Sequence, residues 1–284
     1  MNSEDLLSIF DLVIQGPLNN TSLQNVCNYH TQFKNIIVSH WKEDSTDAVK
    51  ANYNKLSDWK IVKKNYEGQY RKWLLDRVKN LAQITSQPVP DLSKLFFYRN
   101  DSNFFYSIAS TYEGLKQCTS PYVIKMRSDE YYLNLDPLKE MFLKDTKKMV
   151  CGNIFFKPWK VKPYHIGDHL FVAEREALLK TYDTLLKFFR GHSAEDEPLA
   201  HFKSFWSMEH MTWLSPEQVL GMAYLYSKGC PISAWSNKET FFKYFDVVDI
   251  NQLSPYVSCW VHGGQTYSSD GNKFSGEVSN IEHV

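Results

Sequence analysis

The chain has 284 residues, and its 32 Lys and Arg balance its 32 Asp and Glu, so the formal net charge is zero. This length is enough for one large domain or two small ones with a substantial core. The balanced charge argues against broad nucleic-acid binding and against polybasic membrane binding. The five cysteines lie far apart and form no C-x-x-C pair. They indicate neither a zinc knuckle nor a disulfide framework, and they fit a reducing cytoplasm.

The N-terminal part of the chain has the pattern of a Rossmann-like sheet. FDLVIQGP predicts a short buried strand that ends at Gly16-Pro17, TSLQNVCNYHTQFKN predicts a helix, and NIIVSHW predicts a second buried strand. Strand, helix and strand within about 30 residues is the spacing of a βαβ unit. DWKIVKKN predicts a weaker third strand, and QYRKWLLDRVKNLAQI predicts an amphipathic helix.

A further helix and strand lead to a pair of carboxylates. SNFFYSIASTYEGLKQC predicts a helix that Ser102 caps, and YVIKM predicts the strand that follows it. The chain then turns through Arg127-Ser128-Asp129-Glu130. LDPLKEMFLKD predicts a helix with Asp136 as its cap and Pro137 in its first turn. KMVCGNIFF and DHLFVAERE predict two more strands.

From about residue 174 onward the pattern is mostly helical. SPEQVLGMAYLYSKG is the clearest helix, with Ser215 as its cap and Gly229 as its stop. The sequence shows no internal repeat and no linker. We therefore expect one α/β domain, in which a mostly parallel sheet flanked by helices leads into a more helical C-terminal half. Ligands of such sheets bind at the carboxyl ends of the strands.

Targeting signals are not evident in the sequence. The start MNSEDLLSIFDLVIQGP lacks the basic and apolar regions of a signal peptide. No apolar run approaches the roughly 20 residues of a membrane-spanning helix. We expect a cytoplasmic protein without a transmembrane segment, whose contact with a membrane surface, where it occurs, is transient.

The carboxylates after the strand YVIKM allow two interpretations. Asp129 and Glu130 are placed to hold a divalent cation, because Mg²⁺ and Mn²⁺ often take one or two carboxylates together with phosphate oxygens. Alternatively, they are solvated residues at the point where the strand leaves the core. The spacing alone leaves both interpretations open.

The segments DLVIQGP, IIVSHW, YVIKMRSDE and HIGDHLFVA, in this order, resemble the WavE lipopolysaccharide-synthesis family and viral polysaccharide glycosyltransferases of the GT-A fold. The resemblance covers roughly residues 10 to 175 well and the remainder weakly. It implies a GT-A-like glycosyltransferase, a hexosyl- or pentosyltransferase, that takes a UDP- or GDP-linked sugar and delivers it to a glycan acceptor. The donor half would span about residues 10–135 and the acceptor half about residues 136–284.

The resemblance also implies where metal and phosphate would bind. GT-A enzymes typically carry a D-x-D motif that binds Mn²⁺ or Mg²⁺ and the donor diphosphate. Its equivalent here is Arg127-Ser128-Asp129, with Arg in place of the first Asp. Asp129, Glu130 and the late His262 are the implied metal ligands. Arg127 is the alternative contact to a phosphate or the sugar, because a guanidinium forms charge-assisted hydrogen bonds.

The GT-A pattern implies the catalytic groups as well. Gly167 and Asp168 lie in HIGDH, which resembles a loop that touches the donor sugar, although a plain β-turn fits the same residues. Glu217, in the first turn of a predicted helix, is the candidate base for an inverting transfer, because the helix dipole favours its ionised form. Glu209 and the run at 195–197 are rival bases, and support of the helix start is the simpler role for Glu217.

The expected nucleotide contacts follow the first strands and the helix before the carboxylates. These contacts are Gln15, Gly16, Pro17, His40, Arg71, Asn103, Arg127, Ser128 and Gly167. A nucleotidyltransferase is a rival reading, but QGPLNNTS is too poor in Gly for its phosphate loop. A catalytically silent carbohydrate- or nucleotide-sugar-binding protein is the non-enzyme alternative, and Arg127 supports it.

Overall fold

The computed structural model describes residues 9–16, 25–26, 28–29, 31–40, 59–63, 96–154, 164–190, 216–231, 238–253, 255–258 and 266–267. The predicted helix QYRKWLLDRVKNLAQI lies outside these residues. So do four positions of the predicted site or its helix cap: Pro17, Arg71, Ser215 and His262.

A seven-stranded sheet in the order β3-β2-β1-β4-β7-β6-β8 forms the centre of the described fold. Its strands are β1 Phe10–Gln15, β2 Asn35–His40, β3 Trp59–Lys63, β4 Tyr122–Arg127, β6 Met149–Gly152, β7 Leu170–Glu174 and β8 Phe245–Val248. β7 is antiparallel to both of its neighbours, and the other pairings are parallel. The predicted mostly parallel α/β sheet is confirmed.

The central strands are buried on both faces, which explains their continuous apolar sequence. Every residue of β1 is buried. Successive side chains of a strand point to opposite faces, so Val13 joins one hydrophobic cluster, while Leu12 and Ile14 join the other. The core therefore consists of two layers, one on each face of the sheet.

Five helices surround the sheet in the described residues. They are α1 Phe96–Lys116, α2 Asp136–Lys144, α3 Arg175–Arg190, α4 Pro216–Ser227 and α5 Lys238–Tyr244. α1 packs against β1, β2 and α3, and α3 packs against α4. α2 and the short 3₁₀ helix Ile250–Leu253 contribute Leu138, Phe142 and Ile250 to the cluster on the opposite face.

Two of the predicted helix starts are wrong. α1 begins at Phe96, so Ser102 lies inside the helix and does not cap it. The N-cap of α2 is Leu135, which makes no side-chain cap bond, and Asp136 is the first helical residue. The Oδ1 atom of Asn134 accepts a hydrogen bond of 2.9 Å from the Asp136 amide and so replaces the predicted cap.

A second, three-stranded sheet in the order β10-β9-β5 was not predicted. It consists of β5 Glu130–Tyr132, β9 Pro255–Ser258 and β10 Thr266–Tyr267. The described part of the chain after residue 174 is mostly helical, as predicted, and β8, β9 and β10 are short strands within it. Glu130 is a buried strand residue rather than part of a solvated turn.

Candidate functional site

The carboxyl ends of β1, β2 and β4 meet at one edge of the sheet. Gln15 and Arg127 are partners in the register of β1 and β4, and His40 ends β2. Because β7 runs antiparallel to β4, its first residue, Leu170, pairs with Met126 beside this edge. The preceding segment 165–169 (HIGDH) therefore lies next to the end of β4.

Gly16 and Ser128 hold the ends of β1 and β4 close together. The Gly16 amide donates to the Ser39 carbonyl at 3.1 Å, and the Ser128 amide donates to the Gln15 carbonyl at 2.8 Å. Gly16 has φ +139°, and a Cβ atom added to it would lie 2.2 Å from the Ser128 Oγ atom. Gly16 is therefore required by the packing of the two strand ends, independently of any ligand. The Gln15 side chain accepts a hydrogen bond of 3.2 Å from Ser107 on α1.

Arg127 and Asp129 form a two-point ion pair in the turn after β4. The Nε atom donates to Oδ1 at 2.9 Å, and the Nη2 atom donates to Oδ2 at 2.8 Å. Burial alone would raise the pKa of Asp129, but the charge and hydrogen bonds of Arg127 outweigh burial, and the pKa lies below its usual value. Both oxygens of this carboxylate are thus bonded within the chain.

Glu130 is a fully buried carboxylate that is surrounded by donors. Its Oε2 atom accepts a hydrogen bond of 2.7 Å from the Tyr132 hydroxyl, and its Oε1 atom contacts the Nδ1 atom of His169. The Nε atom of Arg127 lies 3.6 Å from Oε1. The backbone carbonyl of Glu130 accepts a hydrogen bond of 2.5 Å from the Asn25 side chain. This network explains how a carboxylate is tolerated in the core.

Lys125 is buried within β4 and reaches the segment 165–169. Its Nζ atom donates to the backbone carbonyl of Asp168. Burial lowers the pKa of Lys125, and the charge of Asp168 opposes that shift. The pKa of Asp168 is lowered as well, because His169, Lys125 and other nearby bases outweigh the effect of burial. The Asp168 Oδ1 atom lies 3.7 Å from the Nε2 atom of His169.

Glu217 lies in the first turn of α4 and faces the same segment. Its Oε2 atom is 3.6 Å from the Nε2 atom of His165, and 22% of its side chain is exposed. Close backbone packing fixes this arrangement, because a Cβ atom on Gly221 would lie 2.4 Å from the Tyr164 carbonyl oxygen. Of the two predicted catalytic residues, Asp168 therefore belongs to the segment 165–169, and Glu217 faces this segment through His165.

Close packing against backbone explains why residue 167 is a glycine. A Cβ atom at this position would lie 2.4 Å from the Gly152 carbonyl oxygen and 3.0 Å from that of Ile154. Its missing side chain makes room for protein backbone at the end of β6. The predicted contact of Gly167 with a donor sugar stays a prediction.

The structure joins five of the predicted site residues into one polar network: Arg127, Asp129, Glu130, Asp168 and Glu217. Three residues that the sequence did not single out for a role connect them: Lys125, His165 and His169. A lysine inside the apolar run YVIKM and two histidines in HIGDH were the available signals. Asn103 lies on α1, and the rival bases at 195–197 and 209 lie outside the described residues.

The described side chains do not fit a divalent metal site. Across the residues that the structure describes, no group of three or more His, Cys, Asp or Glu side chains could hold a metal ion. Asp129 gives both oxygens to Arg127, and Glu130 gives its oxygens to Tyr132 and His169. A hard cation would have to displace these donors. The predicted role of His262 concerns a residue outside the described part.

Residues 82–231, which are more than half of the chain, match the family described as WavE lipopolysaccharide synthesis. The chain belongs to this family. The resemblance to this family that the sequence shows is thereby confirmed, and the family's description indicates a role in lipopolysaccharide synthesis. No curated protein matches the chain in sequence.

Several solved structures share a distant likeness with the chain. Mouse xyloside xylosyltransferase 1 is 14% identical with a TM-score of 0.40, and the match covers 86% of each chain. The glycosyltransferase GlyE of Streptococcus pneumoniae is 8% identical with a TM-score of 0.39, over 85% of this chain and 45% of that one. A 4-diphosphocytidyl-2C-methyl-D-erythritol synthase from Anaerococcus prevotii is 14% identical with a TM-score of 0.37, over 69% and 84%. Such low scores carry no argument about activity.

Membrane insertion through a described helix is not indicated. None of the helices in the described ranges is long and apolar enough to cross a membrane.

Proposed function

We propose that the chain is a glycosyltransferase that moves a sugar from a nucleotide-sugar donor, UDP- or GDP-linked, to a glycan acceptor hydroxyl. Membership of the WavE family supports the class of reaction. The observation that carries the proposal is the position of Glu217 against the segment 165–169, which contains Asp168 and lies beside the carboxyl end of β4. Ligands of open α/β sheets bind at this edge.

The donor nucleotide would lie against the ends of β1 and β2. Gln15, Gly16 and His40 line these ends, and Asn103 lies on the helix that packs against them. Arg127 follows in register beside Gln15, so the donor diphosphate would lie near its guanidinium. The donor half would thus span about residues 10–135, and the acceptor half would follow in about residues 136–284.

Glu217 is the proposed base. The acceptor oxygen forms a bond to the anomeric carbon while the bond from that carbon to the diphosphate oxygen breaks, and the diphosphate leaves with the electron pair. The acceptor proton passes to the Glu217 carboxylate, whose ionised form the start of α4 favours. Direct displacement without an enzyme nucleophile inverts the anomeric centre. Asp168 would orient the hydroxyls of the sugar.

The proposal extends to the location of the reaction. Cys118, Cys151 and Cys230 are buried free thiols, which fits the reducing cytoplasm. The acceptor would be a growing glycan, met in solution or at a membrane surface that the protein visits transiently.

A matched pair of variants tests the base. Glu217 and Glu176 are each the second residue of a helix, but α3 follows β7 and so begins at the opposite edge of the sheet. With a panel of UDP- and GDP-sugars and glycan acceptors, Glu217→Gln should lower the transfer rate about 10²- to 10⁴-fold. Donor affinity should stay unchanged, and Glu176→Gln should transfer at the wild-type rate. A near-normal rate in Glu217→Gln with a lowered melting temperature would assign Glu217 to helix support alone.

The silent binding protein is the second candidate, because the Arg127–Asp129 pair departs from a catalytic D-x-D motif. It predicts binding of a nucleotide-sugar with neither transfer nor hydrolysis across the whole panel. Detection of a released nucleoside diphosphate would exclude it.

A further inference from the structure

Each of the four carboxylates in the polar network faces a basic side chain of the same chain. Asp129 is bonded to Arg127. Glu130 and Asp168 face the two ring nitrogens of His169, and Glu217 faces His165. A D-x-D site that awaits a cation would instead leave carboxylate oxygens free to coordinate it. Each carboxylate of the network therefore lies beside a basic side chain of the same chain.

The charge at the motif position leads to the same conclusion. Two carboxylates and a divalent cation sum to zero charge, and so do one guanidinium and one carboxylate. Replacing the first acidic residue by Arg127 thus supplies within the chain the charge that a metal would bring. Adding a dication to the Arg127–Asp129 pair would leave a net positive charge and would require the bonds at 2.8 and 2.9 Å to break.

Arg127 can still bind a ligand while its guanidinium is hydrogen-bonded to Asp129. A guanidinium has five N–H donors, and the pair with Asp129 uses one on Nε and one on Nη2. The Arg127 side chain is 26% exposed, whereas Glu130 behind it is fully buried. Its remaining donors can therefore meet phosphate oxygens, for which the planar fork is well suited.

We infer that the Arg127 guanidinium, held in place by Asp129, takes the position of the divalent cation in this site, so that the chain binds a nucleoside diphosphate without a metal. Asp129 is then a positioning residue rather than a metal ligand. This inference rests on the proposed function, because it assumes that the diphosphate of a donor binds at the end of β4.

Calorimetry with UDP, GDP, CDP, ADP and dTDP tests the inference, with each nucleotide measured in excess chelator and again with Mn²⁺ or Mg²⁺. The wild-type protein should bind at least one nucleotide with the same affinity in both conditions. Arg127→Asp should weaken that binding in chelator about 10- to 100-fold, as expected for the loss of charge-assisted hydrogen bonds. Because this variant restores the D-x-D pattern, Mn²⁺ should recover its binding.

Melting temperatures give a second readout that does not depend on activity. A ligand that binds only the folded state raises the melting temperature, so Mn²⁺ should stabilise Arg127→Asp and leave the wild type unchanged. Arg175→Asp is the control, because Arg175 is also 26% exposed and ion-paired but lies at the opposite edge of the sheet. It should bind as the wild type does. If Arg127→Asp does not fold, Arg127→Gln in chelator provides the affinity test.

The outcomes separate the two proposals. Wild-type binding that requires Mn²⁺ or Mg²⁺ would overturn the metal-free site and leave the glycosyltransferase proposal standing. If the wild type binds equally well in chelator and with metal, and Arg127→Asp or Arg127→Gln binds as well as the wild type, then Arg127 is not the phosphate contact. No binding of any nucleotide in either condition would overturn the proposed donor site and this inference with it.

Discussion

The variant Glu130→Ala tests whether Glu130 is a structural carboxylate or a metal ligand. The substitution removes the acceptor of the Tyr132 hydroxyl at 2.7 Å and of the His169 ring, both of which are buried. A hydrogen bond to a charged group contributes about 1.5–3 kcal/mol, and breaking a buried pair costs about 3–5 kcal/mol. We expect the free energy of unfolding to fall by about 3–5 kcal/mol, a large part of the 5–15 kcal/mol that is typical of a domain.

Urea unfolding in excess chelator measures this loss. The midpoint should fall at an unchanged slope, because the native surface does not change. The melting temperature should fall by about 6–20 °C, at roughly 2–4 °C per kcal/mol. Glu140→Ala is the control, since Glu140 is an exposed residue of α2, and its stability should stay within about 0.5 kcal/mol of the wild type.

The metal-site interpretation predicts the opposite result. A ligand carboxylate without its cation is unpaired, so its removal in chelator should be neutral or stabilising. A Glu130→Ala protein as stable as the wild type would refute the reasoning from the buried network. It would also restore Glu130 as a candidate metal ligand.

Three further predictions concern the same edge of the sheet. Gly16→Ala should lower the free energy of unfolding by about 2–4 kcal/mol, measured in urea, because of the clash with Ser128 and the strain of a positive φ. The double variant with Ser128→Gly should recover part of this loss. If the losses of the two single variants simply add, the clash is contradicted. Gly167→Ala should destabilise by more than about 2 kcal/mol, because fixed backbone oxygens fill the space, and a soluble variant of wild-type melting temperature would contradict this. Since the pKa values of Asp129 and Asp168 are lowered in the folded state, their stabilisation is complete above about pH 5 and is lost as the pH falls through the unfolded and then the folded pKa. Urea midpoints between about pH 3 and 7 should show this loss, and Asp129→Asn should reduce it.

The central sheet could be predicted because burial on both faces leaves a local signal. β1, β2 and β4 read as continuous apolar runs that end in glycine or polar residues, and their bounds match the predicted strands closely. Gly229 was predicted as the stop of α4, and it follows that helix with φ +71°. These features depend on the residues of one segment and its immediate neighbours.

The polar network could not be predicted, because its contacts depend on pairings between distant segments. Glu130 meets His169 only because β7 runs antiparallel beside β4. Glu130 also belongs to a three-residue strand, which is too short to leave a periodic pattern. Its partner in that sheet, Val257, is far away along the chain. The sequence therefore identified the carboxylates but could not identify the histidines that lie beside Glu130 and Glu217.

The segment 165–169 connects the two halves of the proposed site. On the side of β4, the Asp168 carbonyl accepts from Lys125, and His169 contacts Glu130. On the side of α4, His165 faces Glu217. Between these contacts, Gly167 packs closely against the backbone at the end of β6. In the proposed reaction, this short segment would set the spacing between a donor phosphate at Arg127 and Glu217 as the base, which is the positioning that a direct displacement requires.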